Sequence, residues 1–447
     1  MQVMNHTSMD KRQWGLLVLV LAMAALFLTQ PCSTKTVINT LPAQLSGQQG
    51  VPVSESAHLG LLTWPGELNA VRYTVEILDG VPSNLSDSRP YKSALYRNEQ
   101  VYSNQILLPM GILSEKKQTD TLYYRVQAFD LDGNALGLYT SPQPLDNHIQ
   151  KITHNAPVVR AQNQDDNGTS LLYPVYAYTG NPGASQYEVE VTSQMPENLH
   201  GSAPSRYRIY ARTTTLSDLY DEKPRIGTYY WRVRGMDKNG NPVGEWSQPQ
   251  QFTTLPSRNV QIGIYGDSIS HGGGHLSYSP VDFAYSYSHY LDFPTINLAE
   301  SGDTSAMMRE RFDRDVCPFH LKYVLILGGT NSLRAGVPAE DVIADLRDMG
   351  KKAREMGIRP IYLTLPPINP DNIEKAFQEP TNPDWKTSFD AVNSYLRTQD
   401  HIDIAAVFDD SETLPTELAL DGIHGDWVMK EKMAQVINEK IKKYVIL

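Results

Sequence analysis

Two stretches of this chain carry the same pattern: Tyr123 opens YYRVQAFDLDGNALGLYTSPQP, and Tyr230 opens YWRVRGMDKNGNPVGEWSQPQ. Arg125 aligns with Arg232, Val126 with Val233, Asp130 with Asp237, Gly133 with Gly240 and Gly137 with Gly244, at one constant offset. A repeat of this length constrains the fold strongly, because each copy must bury a core of its own. In each copy an alternating strand runs into a turn rich in Asp, Gly and Asn and then a second short strand, the signal of a β-hairpin. Further alternating runs lie upstream, RYTVEIL at Arg72–Leu78 and QYEVEV at Gln186–Val191. Many short strands with little helical periodicity predict two β-sandwich modules, over residues 35–150 and 151–256. Tyr139 and Trp246 sit near equivalent hairpin ends, where they either stack on a sugar ring or fill the sandwich. The second role needs no ligand and is the simpler expectation.

The pattern near the end of each copy resembles that of fibronectin type III-like domains, and the resemblance covers most of residues 37–256. Ahead of it, Lys11 and Arg12 precede Trp14–Leu28, a run without a single charge. A basic flank before such a run is the signature of export. Its 15 residues reach about 22 Å as a helix, short of the roughly 30 Å hydrocarbon core. Residues 1–34 therefore read as a signal peptide or an N-terminal membrane anchor, with Cys32 opening a lipoprotein alternative. The expected location is extracytoplasmic, with the membrane touched through this segment only. Net charge of −11 over 447 residues argues against nucleic acid as a partner, and two cysteines cannot build a disulfide framework or a Cys-x-x-Cys zinc site.

From about Asn259 the pattern changes. Val260–Tyr265, Thr295–Leu298, Tyr323–Leu327, Pro360–Leu365 and Ile402–Val407 are compact apolar runs. Helical periods at Ala339–Met356, Trp385–Leu396 and Asp426–Tyr444 fall between or after them. Buried strands alternating with amphipathic helices predict an α/β three-layer, flavodoxin-like domain over residues 257–447, with its site at the carboxyl ends of the strands. Three motifs stand at strand ends: Gly266-Asp267-Ser268-Ile269-Ser270, Glu300-Ser301-Gly302-Asp303-Thr304-Ser305 and Gly328-Gly329-Thr330-Asn331. A fourth, Asp421-Gly422-Ile423-His424, lies before the final helix.

Each motif alone is weak, but all four in this order resemble the SGNH (GDSL) hydrolase family over nearly all of residues 259–447. Chemistry explains the residue types: a serine hydroxyl needs a base within hydrogen-bond reach, and that base needs an orienting carboxylate. Ser268 is the expected nucleophile, His424 the base and Asp421 its partner. The resemblance implies an oxyanion hole made by the N–H groups of Ser268 and Gly302 and the amide of Asn331, with no metal and no cofactor. Asp267 adjoins Ser268 and is expected to brace the turn. The family often places Asp after the third motif and Pro after the final His; here Ser332 and Gly425-Asp426-Trp427 follow.

His271, His275 and Tyr278 are the candidate substrate-binding residues of a Gly-rich lip after the nucleophile, joined by Tyr285 and Tyr287 either as groove or as core. Three glycines between the two histidines give no helical face for a metal. Pro366-Pro367 is expected to form another wall. Resemblance to exported SGNH esterases with added β modules implies removal of O-acetyl groups from an acylated polysaccharide or oligosaccharide. Three other readings stay open: an O-acyltransferase with the same triad, a lipid, thioester or peptide hydrolase, and a surface adhesion protein carrying an idle hydrolase fold.

Overall fold

The computed structural model describes residues 58–160, 170–199, 201, 203–275, 278–408 and 411–445. The expected export segment and Cys32 lie outside the described residues. Among those described, the chain begins with β1 (Leu59–Thr63), β2 (Arg72–Asp79), β3 (Tyr96–Val101), β4 (Gln105–Pro109), α1 (Met110–Lys116), β5 (Leu122–Phe129), β6 (Gln143–Pro144) and β7 (Ile149–Ile152). These strands form two antiparallel sheets, in the orders β4-β1-β7 and β3-β2-β5-β6. Leu62, Ile106 and Leu108 of the first sheet share a core with Tyr73, Val75, Ile77 and Val126 of the second. Strand β7 pairs with β1 and runs past residue 150, so the first unit extends beyond its expected end.

The second unit follows as β8 (Val158–Val159), β9 (Val175–Thr179), β10 (Gln186–Thr192), β11 (Arg208–Thr214), β12 (Asp218–Tyr220), β13 (Gly227–Met236), β14 (Pro242–Trp246) and β15 (Gln250–Thr254). It too has two antiparallel sheets, β12-β9-β8 and β11-β10-β13-β14 with β15 also on β13. The repeat has a physical core that pattern reading did not find. Arg125 on β5 pairs with Glu76 on β2 at 2.7 Å, and Arg97 on β3 binds the other carboxylate oxygen at 2.7 Å. In the second unit Arg232 and Arg208 meet Glu190 at 2.9 and 2.6 Å. Each central arginine lies under an aromatic ring, Arg125 at 4.0 Å from Tyr139 and Arg232 at 4.6 Å from Trp246. Both rings are buried, so Tyr139 and Trp246 serve the sandwich rather than a sugar. The turns repeat as well: Asp130 accepts from Asn134 N and Asp237 from Asn241 N, each at 2.8 Å.

The third region is built from β16 (Ile262–Gly266), α2 (Ser268–His271), β17 (Thr295–Asn297), α3 (Ser305–Val316), β18 (Tyr323–Leu327), α4 (Thr330–Arg334), α5 (Ala339–Glu355), β19 (Arg359–Leu363), α6 (Pro370–Phe377), α7 (Trp385–Leu396), β20 (His401–Ile402) and α8 (Trp427–Lys440). Its strands are parallel in the order β17-β16-β18-β19-β20, the flavodoxin-like order expected. With right-handed crossovers, α3, α5 and α7 fall on one face of the sheet. On the other, α8 packs against helical turns at Phe283–Tyr290. The run Ile402–Val407 is not one strand. Asp403 takes the Thr364 hydroxyl at 2.8 Å and Arg397 at 2.7 Å, and the chain turns into a helical turn at Ala405–Phe408. The edge strand β17 is covered by residues 170–172 of the second unit: Leu172 N donates to Asn297 O at 2.8 Å, and Asn297 N to Ser170 O at 3.0 Å.

A buried ion pair that loses one partner leaves an uncompensated charge, which costs about 3–5 kcal/mol. Arg232→Ala is therefore expected to lower stability by about 3 kcal/mol, read as a shifted urea midpoint. Arg212→Ala, which breaks an exposed pair with Glu222, is expected to leave that midpoint nearly unchanged.

Candidate active site

Strand β16 delivers Ser268 to the carboxyl edge of the sheet. Asp267 caps the short helix α2, its carboxylate accepting from Ile269 N at 3.1 Å, so it braces the turn as expected. Across 156 residues of sequence, the Ser268 hydroxyl donates to His424 Nε2 at 2.9 Å. His424 Nδ1–H donates to Asp421 Oδ2 at 2.8 Å. The other Asp421 oxygen accepts from the N–H groups of Ile423 at 2.9 Å and His424 at 2.7 Å. Burial opposes charge on Asp421, but His424 and these N–H donors outweigh it and hold the carboxyl below its usual range. The tight loop depends on Gly422, with φ +82° and a hypothetical Cβ only 2.3 Å from Asn369 O.

Of the other expected oxyanion donors, Gly302 (φ +94°) follows β17 and Asn331 lies in α4 after β18, both at strand ends like Ser268. Asn331 Nδ2 donates to Asp303 O at 2.9 Å, which ties its amide to the Gly302 loop. The two departures from the family pattern have local explanations. Ser332 Oγ accepts from Ser305 N at 2.9 Å, at the start of α3. Asp426 caps α8 by accepting from Trp427 N at 2.7 Å, and accepts from Asn69 N of the first unit at 3.2 Å.

The candidate lip divides. His271 is buried, with Nε2 2.8 Å from Tyr173 O and Nδ1 2.8 Å from Ser301 Oγ, so its ring is held inside the protein and does not face a substrate. Tyr287 is also core, its hydroxyl 3.0 Å from Ser270 Oγ. Tyr278 and His275, expected to bind substrate, are buried like Tyr285: Tyr278 stacks on Tyr285 with centroids 4.0 Å apart, and Trp427 meets Tyr285 edge-on. His275 stands edge-on to Tyr278 at 5.3 Å, and neither ring nitrogen has a hydrogen-bond partner among the described residues. Burial pushes its pKa down to about 4, so the imidazole is neutral at pH 7; Asp421 acts in the opposite sense and His424 in the same one. Pro367 lines a separate cavity of about 290 Å³ with Trp385, Phe389 and Arg397, and no triad residue lines it.

Several residues that position the site were missed by sequence reading. Arg311, buried on α3, donates to Gly266 O at 2.9 Å, Leu298 O at 2.7 Å, Asp303 at 2.5 Å and Asp315 at 3.0 Å. Asn297 Nδ2 donates to the carbonyls of Ser270 at 2.9 Å and His271 at 3.1 Å. Lys430 is fully buried and donates to Ile269 O at 3.3 Å, with its pKa lowered to about 8 mainly by burial. No motif flags such residues, because the backbone carbonyls they hold are brought close only by the fold.

A hydroxyl, an imidazole and a carboxylate in hydrogen-bonded series define a class of site suited to acyl transfer through serine. Residues 264–426 match the model of the GDSL-like Lipase/Acylhydrolase family, which supports an acylhydrolase domain there. Among solved structures, the chain is similar to a catalytic mutant of an acetylxylan esterase from Geobacillus stearothermophilus, at 17% identity and TM-score 0.32, covering 42% of this chain and 95% of that one. It is also similar to a lipase/acylhydrolase from Enterococcus faecalis, at 22% identity and TM-score 0.32, covering 41% and 96%. A third, a GDSL-like lipase from Bacteroides thetaiotaomicron, has 18% identity and TM-score 0.34, covering 42% and 92%. No curated protein matches the chain.

Burial raises the Asp267 pKa to about 7, assisted by the charge of Asp303. Unfolded, the group ionises near pH 4; folded, it keeps its proton to about pH 7. The folded state therefore binds more protons between these values, and its stability falls as pH rises through that window. Asp267→Asn is expected to remove that fall. Its stability relative to wild type should rise by up to about 1.4 kcal/mol per pH unit between pH 4 and 7 and then level off in urea titrations.

Proposed function

We propose that the protein is an extracytoplasmic serine esterase that removes short acyl groups, most plainly acetyl, from an acylated polysaccharide or oligosaccharide. The observation that carries the reaction class is the hydrogen-bonded series Ser268–His424–Asp421. In this reading His424 takes the Ser268 proton as Oγ attacks the ester carbonyl. The N–H groups of Ser268 and Gly302 and the Asn331 amide receive the oxyanion, and His424 returns the proton to the leaving sugar oxygen. Water activated by the same imidazole then releases the acid. Asp421 remains ionised and holds the imidazole with its proton on Nδ1.

The choice of a carbohydrate substrate rests on the resemblance to exported SGNH esterases that carry added β modules. Tyr278, Tyr285 and His275 are buried and pack against one another, and the half-buried Trp427 beside them is the aromatic group with surface to offer a sugar. The extracytoplasmic part draws on the charge-free run behind Lys11 and Arg12. The two β units are read as fibronectin type III-like modules fused to the esterase.

Acetate release from acetylated oligosaccharides, with long-chain acyl esters as controls, tests the proposal. Wild type is expected to prefer acetyl esters, and Ser268→Ala to release none. Transfer of acetyl to an added sugar in place of release would move the assignment to the transferase reading. Preference for long acyl chains would move it to a lipase. Asn331→Ala is expected to lower kcat by roughly 100- to 1,000-fold with KM changed only slightly, because its amide acts on charge that develops in the transition state.

A further inference from the structure

We propose that the second β unit is a working part of the oxyanion site: the main-chain carbonyl of Tyr173 fixes His271, and His271 fixes Ser301 next to the Gly302 N–H. The inference rests on the esterase reading and adds to it a positioning residue and a role for a β unit.

Geometry dictates the protonation of His271. A carbonyl can only accept, so Nε2, 2.8 Å from Tyr173 O, carries the proton. A backbone N–H can only donate, so Nδ1, 3.2 Å from Ser301 N, is bare. The Ser301 hydroxyl, 2.8 Å from the same nitrogen, is then a second donor to it. One neutral tautomer thus joins the second unit to the loop that carries Gly302. The ring of Tyr220, also from that unit, lies edge-on to His271 at 5.9 Å.

Residue 173 reaches the same framework by a second route. Its hydroxyl donates to Asp315 at 2.6 Å, and Asp315 holds Arg311, which in turn binds Gly266 O ahead of Ser268 and the Asp303 carboxylate after Gly302. Immediately before Tyr173, residues 170–172 pair with β17, whose Asn297 side chain holds the His271 carbonyl. The second unit therefore grips both flanks of the oxyanion loop. An oxyanion donor acts only when held close to its productive position, and a displacement of about 1 Å can cost on the order of 100-fold in rate.

The test uses the full chain and three variants. His271→Gln keeps a donor facing Tyr173 O but offers no matching acceptor to Ser301; His271→Asn keeps an acceptor on the Ser301 side but cannot span to Tyr173. Tyr173→Phe loses the hydroxyl route and keeps the carbonyl. Both histidine variants are expected to lose about 10- to 100-fold in kcat with KM within about threefold and the thermal midpoint little changed. Tyr173→Phe should lose less than either. Wild-type kcat in His271→Gln, or a loss of kcat that follows the thermal midpoint across all three variants, would overturn the inference. Should a variant not fold, nitrogen NMR of wild type decides: a neutral His271 with its proton on Nε2 is expected, and a proton on Nδ1 contradicts it. If wild type releases no acyl group from any ester, the esterase reading itself fails; acyl release with unaltered histidine variants removes this inference alone.

Discussion

The hydrogen bond from Ser268 to His424 joins the first strand end of the C-terminal region to the last loop before its final helix, and much of the region is arranged around closing that gap. Ser268 must leave β16 on a tight turn, so Asp267 caps α2 and Arg311 holds the carbonyl of Gly266. Asp421 and His424 must share one short loop, so Gly422 takes a left-handed conformation against Asn369. Lys430 reaches from α8 to the Ile269 carbonyl, tying the helix after His424 to the helix that carries Ser268. Buried ionisable groups, acidic Asp267, Asp421 and Asp426 and basic Lys430, lie around this contact. Such groups are costly to bury and are expected to cluster where geometry has to be fixed.

The β units are more than beads ahead of this region. Their internal solution is the same twice: a buried glutamate between two arginines, the central arginine lying against an aromatic ring. Their contacts with the catalytic region differ. The first unit lends Asn69 N to Asp426 and sets Gly66 against the Tyr278 hydroxyl, beside the lip. The second lends an edge segment to the parallel sheet and the carbonyl of Tyr173 to His271.

Much of this was legible in the sequence where local pattern is dictated by burial. Tyr323–Leu327 and Trp385–Leu396 appear with the ends their apolar periodicity predicts, because a strand buried on both faces and an amphipathic helix each leave an unmistakable residue pattern. The residues now seen in hydrogen-bonded series were legible through motif order. What stayed hidden depends on partners distant in sequence. His271 and His275 look alike in a Gly-rich stretch, yet one is satisfied by Tyr173, 98 residues away, and the other has no hydrogen-bond partner among the described residues. Arg311, Asn297 and the Glu76 and Glu190 clusters were missed for the same reason. Helix α3 was missed because its buried positions include Arg311 and Asp315, which blur an apolar stripe.

Attack of Ser268 on an ester through the proposed His424–Asp421 series can be caught by mass spectrometry of protein quenched during turnover of an acetylated oligosaccharide. One acetyl group is expected on the peptide containing Ser268 and none in Ser268→Ala. Turnover with an acetyl group on another residue, or full turnover by Ser268→Ala, would contradict it.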